Sequence, residues 1–413
     1  MTRHQKRSTT GRAVVTVLTS LGVLAAAALT GAAPADAARR GTVRIARGVT
    51  YGQFDIRAAK GVAHAHALFV DLSDPHVRLD LLYPGTVAAR APLSRLARSA
   101  GAVAGVNGDF FDISEAQHPG VEVTGANVGP AVAHGQVLKS AVPDGQRFGP
   151  VPPPGTNTTD VFGVGVDRRA RLDRLSLLGS VVTAGRRRPL GGLNQYALPV
   201  GSVGAFTSRW GDASRVRATC GTDNARAAPC SRDTYEVTVR HGRVVSASGT
   251  PGSGPIARGT TVLLGREAGA RWLRRLVPGQ RVTVRSRLVP SASRIAYRFA
   301  LGGSPLLRDG RPLPGLDDVT SAVRTAVGFT ADGRRLTLLV LDGARAHRGG
   351  LTVAEVASRM RELGSAYAFG LDGGGSSTLV GRMPGARTVT VRNHPSGGAE
   401  RPVPNGIGIF SAP

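Results

Sequence analysis

The stretch Phe369-Gly370-Leu371-Asp372-Gly373-Gly374-Gly375-Ser376-Ser377-Thr378 combines residue types that could do chemistry. A short apolar run ends at an aspartate, and three glycines and two serines follow. Adjacent glycines weaken a fold, because Gly loses the most backbone freedom on ordering. They suit a loop whose backbone must approach a ligand, and bare N–H groups there can form an anion-binding nest. An ordinary Gly-rich turn is the competing reading. A second polar group, Asn107-Gly108-Asp109-Phe110-Phe111, follows the apolar run Ala102–Val106. It reads either as a site edge with an aromatic floor for a sugar, or as a turn with its aromatics in the core. Asp342 and Arg324 complete the set: two carboxylates and a guanidinium could handle a charged substrate.

The elements that must position these groups follow from periodicity and turn signals. Residues 322–330 and 335–341 flank Asp332-Gly333, a strong hairpin signal. A two-residue turn there sets Arg324 opposite Leu341, which predicts its guanidinium beside Asp342. Thr352 and Glu355 fit a capping box, and Val353, Val356, Ala357, Met360 and Leu363 share one helical face that ends at Gly364. Residues 366–371 then form a short strand ending at Asp372. Strand, helix and strand read as one βαβ unit with parallel strands, so Asp342 and Asp372 leave the sheet at the same end. If the strands are neighbours, both carboxylates and Arg324 meet at one mouth.

Elsewhere, His64 and His66 lie within alternating residues 63–71 and share a strand face, with no third metal ligand evident. Leu93 to Ala100 has helical spacing and stops at Gly101. Residues 38–60 are polar and basic and read as a lead-in. The Pro/Gly cluster in 143–157 marks a boundary or long loop, and 158–290 reads as short strands between Gly-containing turns. The expected class is α+β: mixed β-sheets with a few helices, a C-terminal βαβ unit and an inserted β-rich module. The expected division is a leader at 1–37, the module at 158–290, and the segments 60–142 and 295–411 on either side of it.

Composition bounds the setting. The chain has 413 residues and 41% hydrophobic residues, a normal globular share. Arg3, Lys6, Arg7 and Arg12, an apolar run from Ala13 to Leu29 and Ala35-Asp36-Ala37 read as a cleaved secretory leader. The mature protein is therefore expected outside the cell or at the cell wall, without a transmembrane anchor. The net charge is +26, almost all from arginine, since Lys60 and Lys139 are the only lysines after the leader. Such a balance attracts anionic partners. No basic helix or basic–aromatic pattern of a nucleic-acid module is present, so anionic wall glycopolymers are the expected partners. Cys220 and Cys230, the only cysteines, are expected to form a disulfide. A metal site on them would need two more ligands, and no His is near in sequence.

The ordered set Asn107-Gly108-x-Phe110-Phe111, Arg324-Thr325-Ala326, Asp342-Gly343, Leu371-Asp372-Gly373-Gly374-Gly375-Ser376-Ser377-Thr378 and Asn393-x-Pro395-Ser396 with Glu400-Arg401-Pro402-Val403 resembles the phosphodiester glycosidase family. The resemblance covers roughly 60–140 and 295–411. Position 109 departs from it: family members often carry a second Gly where this chain has Asp. Asp109 is kept as a candidate because it adds a carboxylate to the same mouth.

The resemblance implies a hydrolase that cuts a sugar-1-phosphodiester at the anomeric C–O bond. Asp372 would be the catalytic carboxylate, as base or nucleophile, and Asp342 its partner. Arg324 and Arg401 would clamp phosphate, Gly373, Gly374, Gly375, Ser376 and Ser377 would line the phosphate, and Asn107 and Asn405 would hold sugar hydroxyls or phosphate oxygens. No cofactor is required; a divalent cation is compatible, and its ligands are left open. Competing readings are a metallophosphodiesterase using the aspartates with His347 or His394, and a non-catalytic binder of anionic wall polymer.

Overall fold

The computed structural model describes residues 41–347 and 349–411, so the leader read at 1–37 lies outside the described residues. Among the described residues no helix is long and apolar enough to cross a membrane. The described residues are mostly β, in four sheets with few helices.

The elements that matter for the site are, in chain order, β1 (Val49–Ala58), β2 (Gly61–Asp71), β3 (Val77–Leu82), α1 (Leu93–Ala100), β4 (Ala104–Asn107), β5 (Ser304–Arg308), β6 (Thr325–Phe329), β7 (Arg335–Leu341), α2 (Val353–Glu362), β8 (Tyr367–Leu371), β9 (Leu379–Gly381) and β10 (Gly406–Ser411). An eight-stranded sheet runs Val43–Ala46, β1, β2, β7, β6, β8, β5 and Arg311–Pro312. A five-stranded sheet runs Thr390–Val391, β9, β4, β10 and β3. A continuous apolar core joins them, with Leu68, Val340, Phe369 and Leu371 from the first sheet and Val106, Leu379 and Ile407 from the second. On the other face of the first sheet, Val356, Ala357 and Met360 of α2 pack against Ala65, Leu339 and Ala368.

The expected lead-in at 38–60 instead supplies edge strands. Val49, Tyr51 and Ile56 point inward, and β1 pairs along its whole length with β2. Val49 and Tyr51 enter the core between the sheets and Ile56 the core under α2, and this burial outweighed the polar composition.

The hairpin register is as the sequence predicts, with Thr325 opposite Val340, although residues 331–334 make a four-residue connection. β6 is antiparallel to both β7 and β8, so those two strands run parallel but are not neighbours. The strand–helix–strand passage straddles β6. Asp342 and Asp372 do leave at the same end, two strand spacings or about 10 Å apart.

The segment 158–290 is β-rich but does not stand apart. Its Asp160–Gly165 strand pairs with Tyr297–Gly302, which pairs in turn with Ala131–Ala133. A separate five-stranded sheet lies wholly within 192–266. The disulfide between Cys220 and Cys230 is formed. His118, about a hundred residues away in sequence, brings a ring nitrogen within 4.8 Å of both sulfurs, which local spacing could not reveal.

The capping box on α2 is complete: Glu355 N–H donates to Thr352 Oγ1 at 3.1 Å, and Thr352 N–H to Glu355 Oε2 at 2.8 Å. Thr352→Ala removes one partner and is worth about 1 kcal/mol. Hydrogen exchange of the α2 amides should accelerate roughly fivefold, while Thr352→Ser stays near wild type. Unchanged exchange in the alanine variant would refute this account of the helix.

Candidate active site

The site forms where β4, β6, β8 and β9 end or begin together. Asn107 closes β4 and is completely buried. Its Nδ2 donates to the Asp372 carbonyl at 2.6 Å, and its Oδ1 accepts from Thr325 Oγ1 at 2.8 Å and Thr378 N–H at 3.1 Å. Asp372 N–H donates to Gly108 O at 2.9 Å. One amide therefore holds the end of β8 and the start of β9 against β6. Asn405, just before β10, accepts Asp109 N–H on Oδ1 at 2.9 Å. Asn107 is thus committed to the protein's own groups through both ends of its amide, and Asn405 is tied to Asp109 through its oxygen.

The three glycines have three separate steric reasons. A Cβ on Gly373 would sit 2.7 Å from Val323 O, and one on Gly375 would sit 2.4 Å from an Arg401 guanidinium nitrogen. Gly374 has φ +61, in the left-handed region. The expected open nest is largely closed: N–H groups of Gly374, Ser376 and Ser377 donate to Val323 O, Gly373 O and Gly374 O. The loop's outward feature is instead the Arg401 guanidinium lying against Gly375, with Nη1 at 3.2 Å from Ser376 Oγ. Glu400 does not pair with it; its carboxylate accepts Ser94 N–H at 2.8 Å, at the start of α1. Ser377 Oγ accepts from Thr325 Oγ1 at 3.1 Å and is buried.

Asp372 is only partly exposed. Burial pushes its carboxyl up to about 7, and the nearby Asp109 charge adds to the rise. Ser376, Arg401 and the Gly373 N–H oppose it. A carboxyl poised near neutrality is a mark of acid–base or nucleophilic sites.

Asp109 lies behind it, with 1% of its surface exposed. Its Oδ2 accepts from Asn127 Nδ2 and Gly129 N–H, both at 2.7 Å, and Oδ1 from Phe110 N–H at 2.7 Å. Burial raises its carboxyl, and these donors together with Lys139 oppose the rise. Lys139 is buried without a carboxylate contact; its Nζ donates to Val128 O, Gly129 O and Ser140 O, and burial lowers it to about 7. Asp109 thus belongs to a closed network and does not open on the mouth. Phe110 and Phe111 are both 5% exposed, so the core reading holds for each.

Arg324 corrects the expected geometry. Its register partner is Leu341, as predicted, but successive strand side chains face opposite ways. Asp342 therefore projects away from Arg324. Arg324 lies on the α2 side, donating to Leu351 O at 3.1 Å and to Thr320 O at 2.6 Å. It lines a small recess with Phe110, Leu306, Thr325 and Leu371.

Asp342 projects instead into a histidine cluster. Its Oδ2 lies 3.1 Å from His66 Nε2 and 2.8 Å from His394 Nδ1, and its Oδ1 accepts Ala344 N–H at 2.7 Å. Burial alone would raise its carboxyl, but the donors from His394, Ala344 and His66 outweigh it and hold Asp342 at about 2. His66, lowered to about 4 by burial against the pull of Asp342, is neutral near pH 7. Its Nδ1 faces Tyr51 Oη at 2.7 Å. The spacing of His64 and His66 was a visible signal; their partner Asp342, 276 residues beyond His66, was not. Lys139 and Asn127 carried no local signal as site residues, and Thr325 stood out only as part of Arg324-Thr325-Ala326.

Residues 233–410 match the family model described as phosphodiester glycosidase. No curated protein matches the chain. Among solved structures, a hypothetical protein from Synechocystis is similar over 90% of this chain and 63% of its own, at 20% identity and TM-score 0.69. The chain thus spans under two thirds of that relative. A Burkholderia pseudomallei protein described as exported is similar over 84% of this chain and 74% of its own, at 23% identity and TM-score 0.64. These two likenesses establish the fold. The zebrafish N-acetylglucosamine-1-phosphodiester alpha-N-acetylglucosaminidase catalytic domain overlaps 88% of this chain and 83% of its own, at 15% identity and TM-score 0.43, and no argument rests on it. The matched stretch holds Asp342, Asp372, His394 and Arg401, and it is this part of the chain that is similar to the phosphodiester glycosidase family.

Proposed function

We propose that the protein is a secreted hydrolase that cleaves sugar-1-phosphodiesters at the anomeric C–O bond, on cell-wall or other extracellular phosphoglycans. The observation that carries this reading is an Asp372 carboxyl raised to about 7 by burial, with the Arg401 guanidinium, held on Ser376 and Gly375, close enough to act on its charge. Arg401 would bind the phosphodiester oxygens, since guanidinium matches phosphate in shape and charge. Asp372 would face the anomeric carbon, where its negative charge stabilises an oxocarbenium-like transition state. The departing phosphate monoester is a good leaving group, so little protonation of it is needed. The expected disulfide and the basic surface fit an extracellular protein that meets anionic polymer.

Hydrolysis of a panel of sugar-1-phosphodiesters in ¹⁸O-water tests the bond that breaks. Label should enter the free sugar, and Asp372→Asn should lower kcat/KM roughly 10³-fold or more. Label in the phosphate would mean P–O cleavage and would end this reading. Arg401→Ala should raise KM about 10–100-fold, the worth of a lost hydrogen bond to a charged group.

Since Asp372 must be ionised to act, kcat/KM of the free enzyme should rise with pH through about 7. The same group has the opposite effect on stability. Its folded pKa lies above the ordinary value, so the protonated form favours folding and that stability is lost as pH rises to about 7. Asp372→Asn should therefore melt above wild type at about pH 8, with the gap closing near about pH 4. Equal melting temperatures at both pH values would contradict the raised carboxyl.

A further inference from the structure

We infer that His394, oriented by Asp342, is the proton acceptor for the attacking water; this rests on the glycosidase reading above. Asp342 cannot itself be that acceptor. It is 2% exposed, and its oxygens face four donors: His394 Nδ1, His394 N–H at 3.2 Å, His66 Nε2 and Ala344 N–H. Three of these donors crowd Oδ2 and one takes Oδ1, and a carboxylate buried to this degree presents no open face to water or substrate. His394 is the reverse case, with a side chain 77% exposed.

The protons can be placed by complementarity. An ionised Asp342 accepts only, so His394 carries its proton on Nδ1 and leaves the Nε2 lone pair free. His66 likewise donates through Nε2 and accepts from Tyr51 Oη on Nδ1. Tyr51 and His66 hold the carboxylate, and the carboxylate holds the exposed imidazole. This is the arrangement of an acid–base imidazole with an orienting carboxylate.

The backbone sets His394 beside the glycine loop. Asn393 Nδ2 donates to Ser377 O at 2.9 Å, Ser396 Oγ to Gly374 O at 3.4 Å, and Gly343 N–H to His394 O at 2.7 Å. Segment 393–396 thus spans the gap between the ends of β7 and β8. In the step, a water O–H bond breaks and its proton goes to Nε2. The water oxygen bonds to the anomeric carbon, and the C–O bond to phosphate breaks with its electron pair leaving on the phosphate. Asp372 stabilises the charge on the sugar; His66, Tyr51 and Asp342 are positioning residues.

The test uses the full mature chain and a sugar-1-phosphodiester that wild type hydrolyses. His394→Ala should lower kcat about 10²–10³-fold with KM within a few-fold, and added imidazole should restore part of the rate. Asp342→Asn should lower kcat comparably, and ¹⁵N-histidine NMR should show loss of the Nδ1–H tautomer of His394. Full kcat in His394→Ala, beside an inactive Asp372→Asn, would overturn the inference and leave the glycosidase reading standing. A raised KM without imidazole rescue would make His394 a binding group and also overturn it. A wild-type His394 found as the Nε2–H tautomer would do the same, whatever the activity. No turnover by wild type on any phosphodiester would remove both readings together.

Discussion

A single buried carboxamide joins the two sheets that make the site. Asn107 sits at the end of β4 and reaches the end of β8, the start of β9 and the hydroxyl of Thr325 on β6. Every one of those contacts is long-range, and together they fix where Asp372 emerges. An aspartate or leucine of similar size could not replace it, because the position needs one donor and one acceptor on one flat group. Left unpaired, the Asp372 carbonyl and Thr378 N–H would carry the full penalty of buried polar groups.

Behind this knot the charges are arranged so that no carboxylate is neutralised by direct contact. Gly129 donates its N–H to Asp109 and accepts from Lys139 on its carbonyl, so one residue lies between an acid and a base. Burial lowers Lys139 and raises Asp109, and their mutual attraction opposes both shifts. The charge on Asp109 then adds to what burial does to Asp372, while Arg401 limits it from the open side. A partly exposed carboxyl near neutrality is the outcome of this layering. Asp342 shows the other regime: it is 2% exposed, yet donors from His394, Ala344 and His66 outweigh its burial and hold it ionised.

Much of the local structure was legible in the sequence. The Asp332-Gly333 signal set the β6–β7 register, Thr352 and Glu355 set the start of α2, and apolar spacing set its buried face. The glycine loop stood out because three adjacent glycines need a reason. The reason proved to be steric, with Val323 O and Arg401 occupying the space where side chains would be. The Arg324 expectation failed through strand alternation: correct register put the residue on the right row and the wrong face.

By itself the sequence determined which segments are strands and helices, which residues close them, and which residue types gather near their ends. These are properties of periods of a few residues, and neighbours along the chain set them. Only the tertiary structure decided that His66 and His394 converge on Asp342, that Asn107 and Asn405 turn inward, and that Lys139 lies behind Asp109. Each depends on strands brought together from distant parts of the chain, where the order β2, β7, β6, β8 is chosen by burial and backbone pairing. A carboxylate's charge state follows from that neighbourhood, because its burial and its donors come from several parts of the chain, in the case of His66 from 276 positions away. Chemistry was written in the residue types, and the fold decided which of them share a space.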